Sequence, residues 1–198
     1  MMKKNFKNHI SGYWFLYVIA AVISAILWST VVIFWTKDKK EEVVSVWIMA
    51  YDAKVGELTN ELENEKQEYL KHIRLTFNNY ENELTKISFD GLGSNYDLAI
   101  LPESFLSKVA VQRIYTKLDS NLVDTILGEQ IYYQMDEYNY GIEIFNKSDD
   151  DNGLITYTKE GIEPENYYIF INKNSLHMGE INNSKHDGGI SIIKTLLK

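Results

Sequence analysis

From Tyr13 to Thr36 the chain carries no charge and reads YWFLYVIAAVISAILWSTVVIFWT. About two dozen residues at 1.5 Å each make a helix of roughly 36 Å, against about 30 Å of bilayer hydrocarbon. Aromatic residues crowd both ends: Tyr13, Trp14, Phe15 and Tyr17 at one, Phe34 and Trp35 at the other. Such rings sit well at the headgroup boundary. The run is longer than a signal-peptide core of about 7–15 residues, and it is apolar all round, unlike the helix of a soluble core. The pattern predicts a transmembrane helix over 13–36, between a tail of residues 1–12 and a charged linker over 37–42.

Beyond the linker the periodicity changes. Val43 to Met49 (VVSVWIM) is nearly continuous in apolar residues, as in a strand covered on both faces. Asp52 then offers an N-cap, and Val55, Leu58, Leu62, Tyr69 and Leu70 follow at helical spacing. Ile73 to Asn78 alternates with period two, predicting a second strand. A short helix is expected over 80–89 and a loop over 91–95, before the buried strand DLAIL of Asp97 to Leu101, stopped by Pro102. Strands separated by helices in this order predict βαβαβ and a parallel sheet.

The second half reads differently. Asp119 to Leu127 is a helix stopped by Gly128, and residues 130–135, 140–146, 154–158 and 167–172 are strand-like. Ser148 to Gly153 is expected to be a polar hairpin loop, and Asp187 to cap a helix with Ile190, Ile193, Leu196 and Leu197 on one face. The fold class expected for residues 43–198 is therefore α/β, with a mixed, partly parallel sheet preceded by one transmembrane helix.

Charge sharpens the division. The chain has 20 Lys and Arg against 28 Asp and Glu, a net −8. Six lysines against Asp38 give the first forty residues +5, so the remainder carries −13. An acidic domain of this kind does not replace the counterions of nucleic acid. Lys3, Lys4 and Lys7 precede the span, and Lys37, Lys39 and Lys40 follow it, so lysine counts alone do not orient it. The short acid-free tail has the form of an uncleaved signal anchor, which predicts a cytoplasmic N-terminus and an extracytoplasmic domain over 43–198. The chain contains no cysteine, which excludes disulfides, thiolate metal sites and a lipidated cysteine.

Candidate chemistry is thin. Ser104 follows Pro102-Glu103 without the flanking glycines of a nucleophile elbow. His177 and His186 lie nine apart beside Asp187, which is no metal-ligand spacing. The run from Ser148 resembles the start of a calcium loop, but its twelfth position is Lys159 rather than a bidentate Glu. Gly91-Leu92-Gly93 lacks the third glycine of a dinucleotide loop, and Glu163 and Glu165 around Pro164 read as a charged turn. No enzyme activity, cofactor or metal is expected.

Four segments carry a resemblance: VVSVWIMAYD, IRLTF, NYDLAILPESFLSKV leading into KLD, and YGIEIFN over residues 140–146. In that order they resemble the first lobe of extracellular solute-binding proteins of sugar-type ABC importers. The resemblance implies a single periplasmic-binding-protein-like lobe and, as partners, ABC-transporter membrane subunits. One lobe presents half a cleft, where the parallel strands end. The loops there would carry Tyr51 and Asp52 after the first strand and Glu103, Ser104 and Phe105 after the third. Such an open half-site would hold a sugar weakly. The alternative is a structural or sensory ectodomain that binds another envelope protein through its tyrosine-rich second half, Tyr132, Tyr133, Tyr138, Tyr140, Tyr157, Tyr167 and Tyr168.

Overall fold

The structure is a computed structural model that describes residues 2–36, 38–79, 95–151 and 153–197. The helix expected over 80–89 and all but the last residue of the loop over 91–95 lie outside the described residues. The chain divides into two compact units, Met1–Asp38 and Lys39–Lys198.

The first unit is one helix, α1 (Met2–Thr36), long and apolar enough from Tyr13 to Ile33 to cross a membrane. Its backbone leaves helical geometry at Tyr13 (φ −123°, ψ 16°), directly after the Ser11-Gly12 pair and where the uncharged run begins. Small-residue pairs of this kind are a common cause of sharp helix kinks.

The second unit opens with a 3-10 turn, Lys40–Glu42, and continues through β1 (Val43–Ala50), β2 (Asp52–Ala53), α2 (Val55–Glu65) and β3 (His72–Asn79). After the undescribed segment come β4 (Leu98–Pro102) and the short helices α3 (Glu103–Leu106) and α4 (Val111–Ile114). Then follow α5 (Ser120–Leu127), β5 (Tyr132–Met135), β6 (Tyr138–Phe145), β7 (Ile155–Thr156), β8 (Tyr167–Ile171) and α6 (Gly188–Leu196). Six strands form one sheet in the order β3-β1-β4-β8-β6-β5. β1 runs parallel to β3 and β4, whereas the β4–β8, β8–β6 and β6–β5 pairs are antiparallel. The architecture is thus α/β with a mixed, partly parallel sheet.

Alternation along β1 builds both faces of the core. Val44, Val46, Ile48 and Ala50 enter one cluster with Leu58 and Leu62 of α2, Val123 of α5, and Ile192, Ile193 and Leu196 of α6. Trp47 and Met49 point the other way, onto Phe105, Leu106 and Val111 of the short helices and onto Tyr140 and Phe170. Each fully buried aliphatic or aromatic side chain contributes about 1.5–3 kcal/mol, so the central strands carry most of the stabilisation. Gly141 faces Phe170 across the β6–β8 pair, where a Cβ would stand 2.8 Å from the Phe170 ring.

Several elements differ from the sequence reading. Asp52 does not cap α2: it lies in β2, which pairs with β7, and its Oδ1 accepts from the N–H of Ala53 at 2.8 Å. Helix α2 starts at Val55 and stops at Glu65, leaving Tyr69 and Leu70 in the loop before β3. Ser148 to Gly153 does not close a hairpin, because both neighbours of β6 are taken by β5 and β8 while β7 pairs with β2. Asp119 caps α5 as expected, accepting from Asn121 N–H at 3.0 Å and Leu122 N–H at 3.5 Å, and Gly128 ends it with φ +88°. Asp187 stands at the N-cap of α6, but its side chain makes no cap bond there. The Gly188 N–H donates to Tyr69 Oη at 2.8 Å and the Gly189 N–H to the His177 carbonyl at 2.8 Å.

Candidate functional site

The parallel strands lie in the order β3-β1-β4, so the chain leaves β1 toward one side for β3 and returns to the other side for β4. The order reverses between β1 and β4. In open α/β sheets, the crevice outside the carboxyl ends of the strands at such a reversal is where ligands bind. Tyr51 and Asp52 leave β1 there, and Glu103 and Ser104 leave β4 on the adjacent strand.

The edge is largely closed by the chain itself. Tyr51 is buried; its N–H donates to the Thr156 carbonyl at 3.0 Å, and its carbonyl accepts from Asn79 Nδ2 at 2.6 Å. Phe105 is fully buried, its ring edge-on to Trp47 with centroids 6.2 Å apart. Asp52, Glu103 and Ser104 are exposed. The Glu103 N–H donates to the Asn166 carbonyl at 2.9 Å, and the Ser104 N–H to Glu165 Oε2 at 2.7 Å, so Glu165 caps α3. Of the five residues singled out on sequence, three present polar groups to solvent at one edge and two contribute their rings to the core.

Glu103 also faces two tyrosines that sequence reasoning assigned to general strand packing. The rings of Tyr133 and Tyr168 lie 5.4 Å apart. Burial pushes both hydroxyls up from the ordinary phenol value, and the charge of Glu103 adds to the effect. Asn166 Nδ2 donates to Tyr168 Oη at 3.2 Å. No local sequence signal joins Glu103 to β5 and β8; only the sheet order does.

A second polar cluster stands at the opposite, amino end of β4. Asp97 Oδ2 accepts from the Ser45 N–H at 2.9 Å and the Ser45 hydroxyl at 2.8 Å, while its Oδ1 accepts from the Ser175 hydroxyl at 2.8 Å. His177 is fully buried; its Nε2 lies 3.0 Å from the Lys40 carbonyl and its Nδ1 3.4 Å from Tyr69 Oη. A carbonyl only accepts, so Nε2 is the donor in that bond. His186 stacks on Tyr69 with centroids 4.8 Å apart and lies 3.9 Å from Glu41. Apart from His186 Nε2, which is buried without a hydrogen-bond partner, these polar groups are turned to other parts of the chain and bolt it together. Ser104 lies beyond the far end of β4 from both histidines, so these groups do not assemble a nucleophile with its base. Among the described residues, no group of three His, Asp or Glu side chains is placed to hold a metal ion.

A concavity stands elsewhere. A groove of ≈ 460 Å³ runs between the α5–β5 turn, the end of β6 and the last turn of α6. Leu127, Ile131, Phe145 and Leu197 supply apolar lining and Glu129, Asp149 and Lys194 charged lining, while the Glu143 carboxylate accepts from Asn146 Nδ2 at 3.2 Å. Ile131 is 64% exposed. Neither protein-family models, curated proteins nor solved structures give a match to this chain.

Proposed function

We propose that this chain is a single-pass membrane protein whose α/β unit lies outside the cytoplasm and works by docking to another membrane-associated protein. In this reading the unit is similar to one lobe of a solute-binding protein, and its partner is a membrane subunit of an ABC-type importer. The observation that carries the docking reading is the closed switch-point edge. With Tyr51 and Phe105 buried, Asp52 and Glu103 offer carboxylates there with neither of those rings to stack a sugar against. Acceptors on one side of a polyol compete with water and leave most of the ligand hydrated. Affinity for a free sugar would be millimolar or weaker, about −4 kcal/mol. Weak protein contacts are different, because an anchor that confines both partners to one bilayer raises their effective concentration.

The test is native electrophoresis of the full-length chain, gently solubilised from membranes that also contain the importer's membrane subunits. The expected result is co-migration as a defined complex. A chain that runs alone under every mild detergent condition overturns the docking reading, and a complex with a different envelope protein replaces the importer as partner. Calorimetry giving a micromolar sugar dissociation constant for the same protein would return the function to solute capture.

A further inference from the structure

We infer that the groove beside β5 is the docking site for an extended cationic segment of a partner protein, one alternating Lys or Arg with aliphatic residues. The inference rests on the docking reading and adds where the partner sits and which chemistry it brings.

Three features select that occupant. The first is charge. Glu129 and Asp149 line the groove, and Lys194 is the one ammonium in its lining among the described residues. Helices α5 and α6 both end at it, with Leu127 and Leu197 in its lining, and a helix C-terminus carries a partial negative charge. Residues 41–198 carry −13 as a whole, so a second copy of the unit or an anionic lipid surface would be repelled. The second is apolar surface. Ile131 at 64% exposure is the most exposed large apolar side chain of this unit among the described residues, and it opens onto the groove beside Leu127 and Leu197. A small polyamine would satisfy the carboxylates and leave this surface wet. The third is backbone. β5 is the terminal strand of the six-stranded sheet, so an added strand continues the ladder there. The groove begins at Ile131, the residue directly before β5, and alternate side chains of a segment added along that edge share one face.

The experiment uses the full-length chain in neutral detergent and a fluorescent heptapeptide alternating lysine and valine, read by anisotropy. Binding should weaken about tenfold in Ile131→Ser and again in Glu129→Gln, the scale of losing an interface anchor. Glu57→Gln with Glu61→Gln on the exposed side of α2 should leave it unchanged, and spermine should compete only poorly. A peptide alternating glutamate and valine should not bind. Equal binding by every variant, equal binding of the charge-swapped peptide, full competition by spermine, or no binding at all would each overturn the groove assignment. The native complex separates the two levels. A complex that survives in the Ile131→Ser/Glu129→Gln double variant leaves the docking reading standing and removes the groove. A wild-type chain that forms no complex removes both.

Discussion

Glu63 ties the end of α2 to the start of β3, accepting from the Lys66 ammonium and from the Ile73 N–H at 2.6 Å. Burial alone would raise its pKa, but these two donors outweigh it and hold the carboxyl below its usual range. A lowered folded-state pKa adds stability that is fully present above the unfolded-state value of about 4.3 and is lost as pH falls through the folded-state value. Glu63→Gln should therefore lower the urea midpoint of residues 39–198 at pH 7 and match wild type once the pH lies below the folded-state value. An equal loss at both pH values would assign the effect to packing. Gly141→Ala should destabilise the unit by about 1–3 kcal/mol, because the new methyl meets the Phe170 ring inside a filled core. An unchanged urea midpoint would show that the ring yields freely. At this scale the sequence was legible where the partner is local. Asp119 reads as a cap and is one, since the N–H groups that donate to it lie two and three residues on. Asp52 reads the same way and is not, because residues 155 and 156 claim its segment for a ladder. Phe105 looked available after Pro-Glu-Ser, yet α3 turns it inward with Leu106.

At the scale of elements, the parallel strands were legible because burial on both faces leaves an almost unbroken apolar run, as in VVSVWIM. Strand pairing was not: nothing local in residues 154–158 says that they meet β2 rather than β6. The same contrast holds at α6, whose apolar face is written in its period while its N-terminus is met by Tyr69, more than a hundred residues earlier. Tyr69 Oη accepts the Gly188 N–H and faces His177 Nδ1, and burial pushes its hydroxyl up from the ordinary phenol value. Tyr69→Phe leaves both groups without that partner in a half-buried position. The expected cost is about 1–3 kcal/mol, read as a lowered denaturation midpoint with faster amide exchange at Gly188. Wild-type exchange at Gly188 would mean that water replaces the hydroxyl.

For the whole molecule, the division into an apolar helix and an acidic α/β unit follows from the charge distribution alone. The direction of the helix rests on the acid-free basic tail. A tag placed after Lys198 should therefore be removed by protease added to intact protoplasts, without lysis. A tag that survives until the cells are opened would reverse the orientation and place the −13 unit in the cytoplasm. The edge where the loops after β1 and β4 gather was legible in outline, because parallel strands in that order imply it. Its closure was not, since the residues that close it, Thr156, Glu165 and Asn166, arrive from the antiparallel half.

The position of β8 has a kinetic consequence. Its five residues, all buried, lie between β4 and β6, so a strand from late in the chain joins the early parallel half to the later antiparallel half. A chain made from its N-terminus holds two separate part-sheets until Tyr167 to Ile171 emerge. Until then β4 and β6 each expose a bare edge. Non-local closure of this kind is slow, and unpaired edges are sticky while they wait. The unit thus completes its core only late in its synthesis, and the interval before β8 inserts is when it is most exposed to proteases and to mispairing with neighbouring chains.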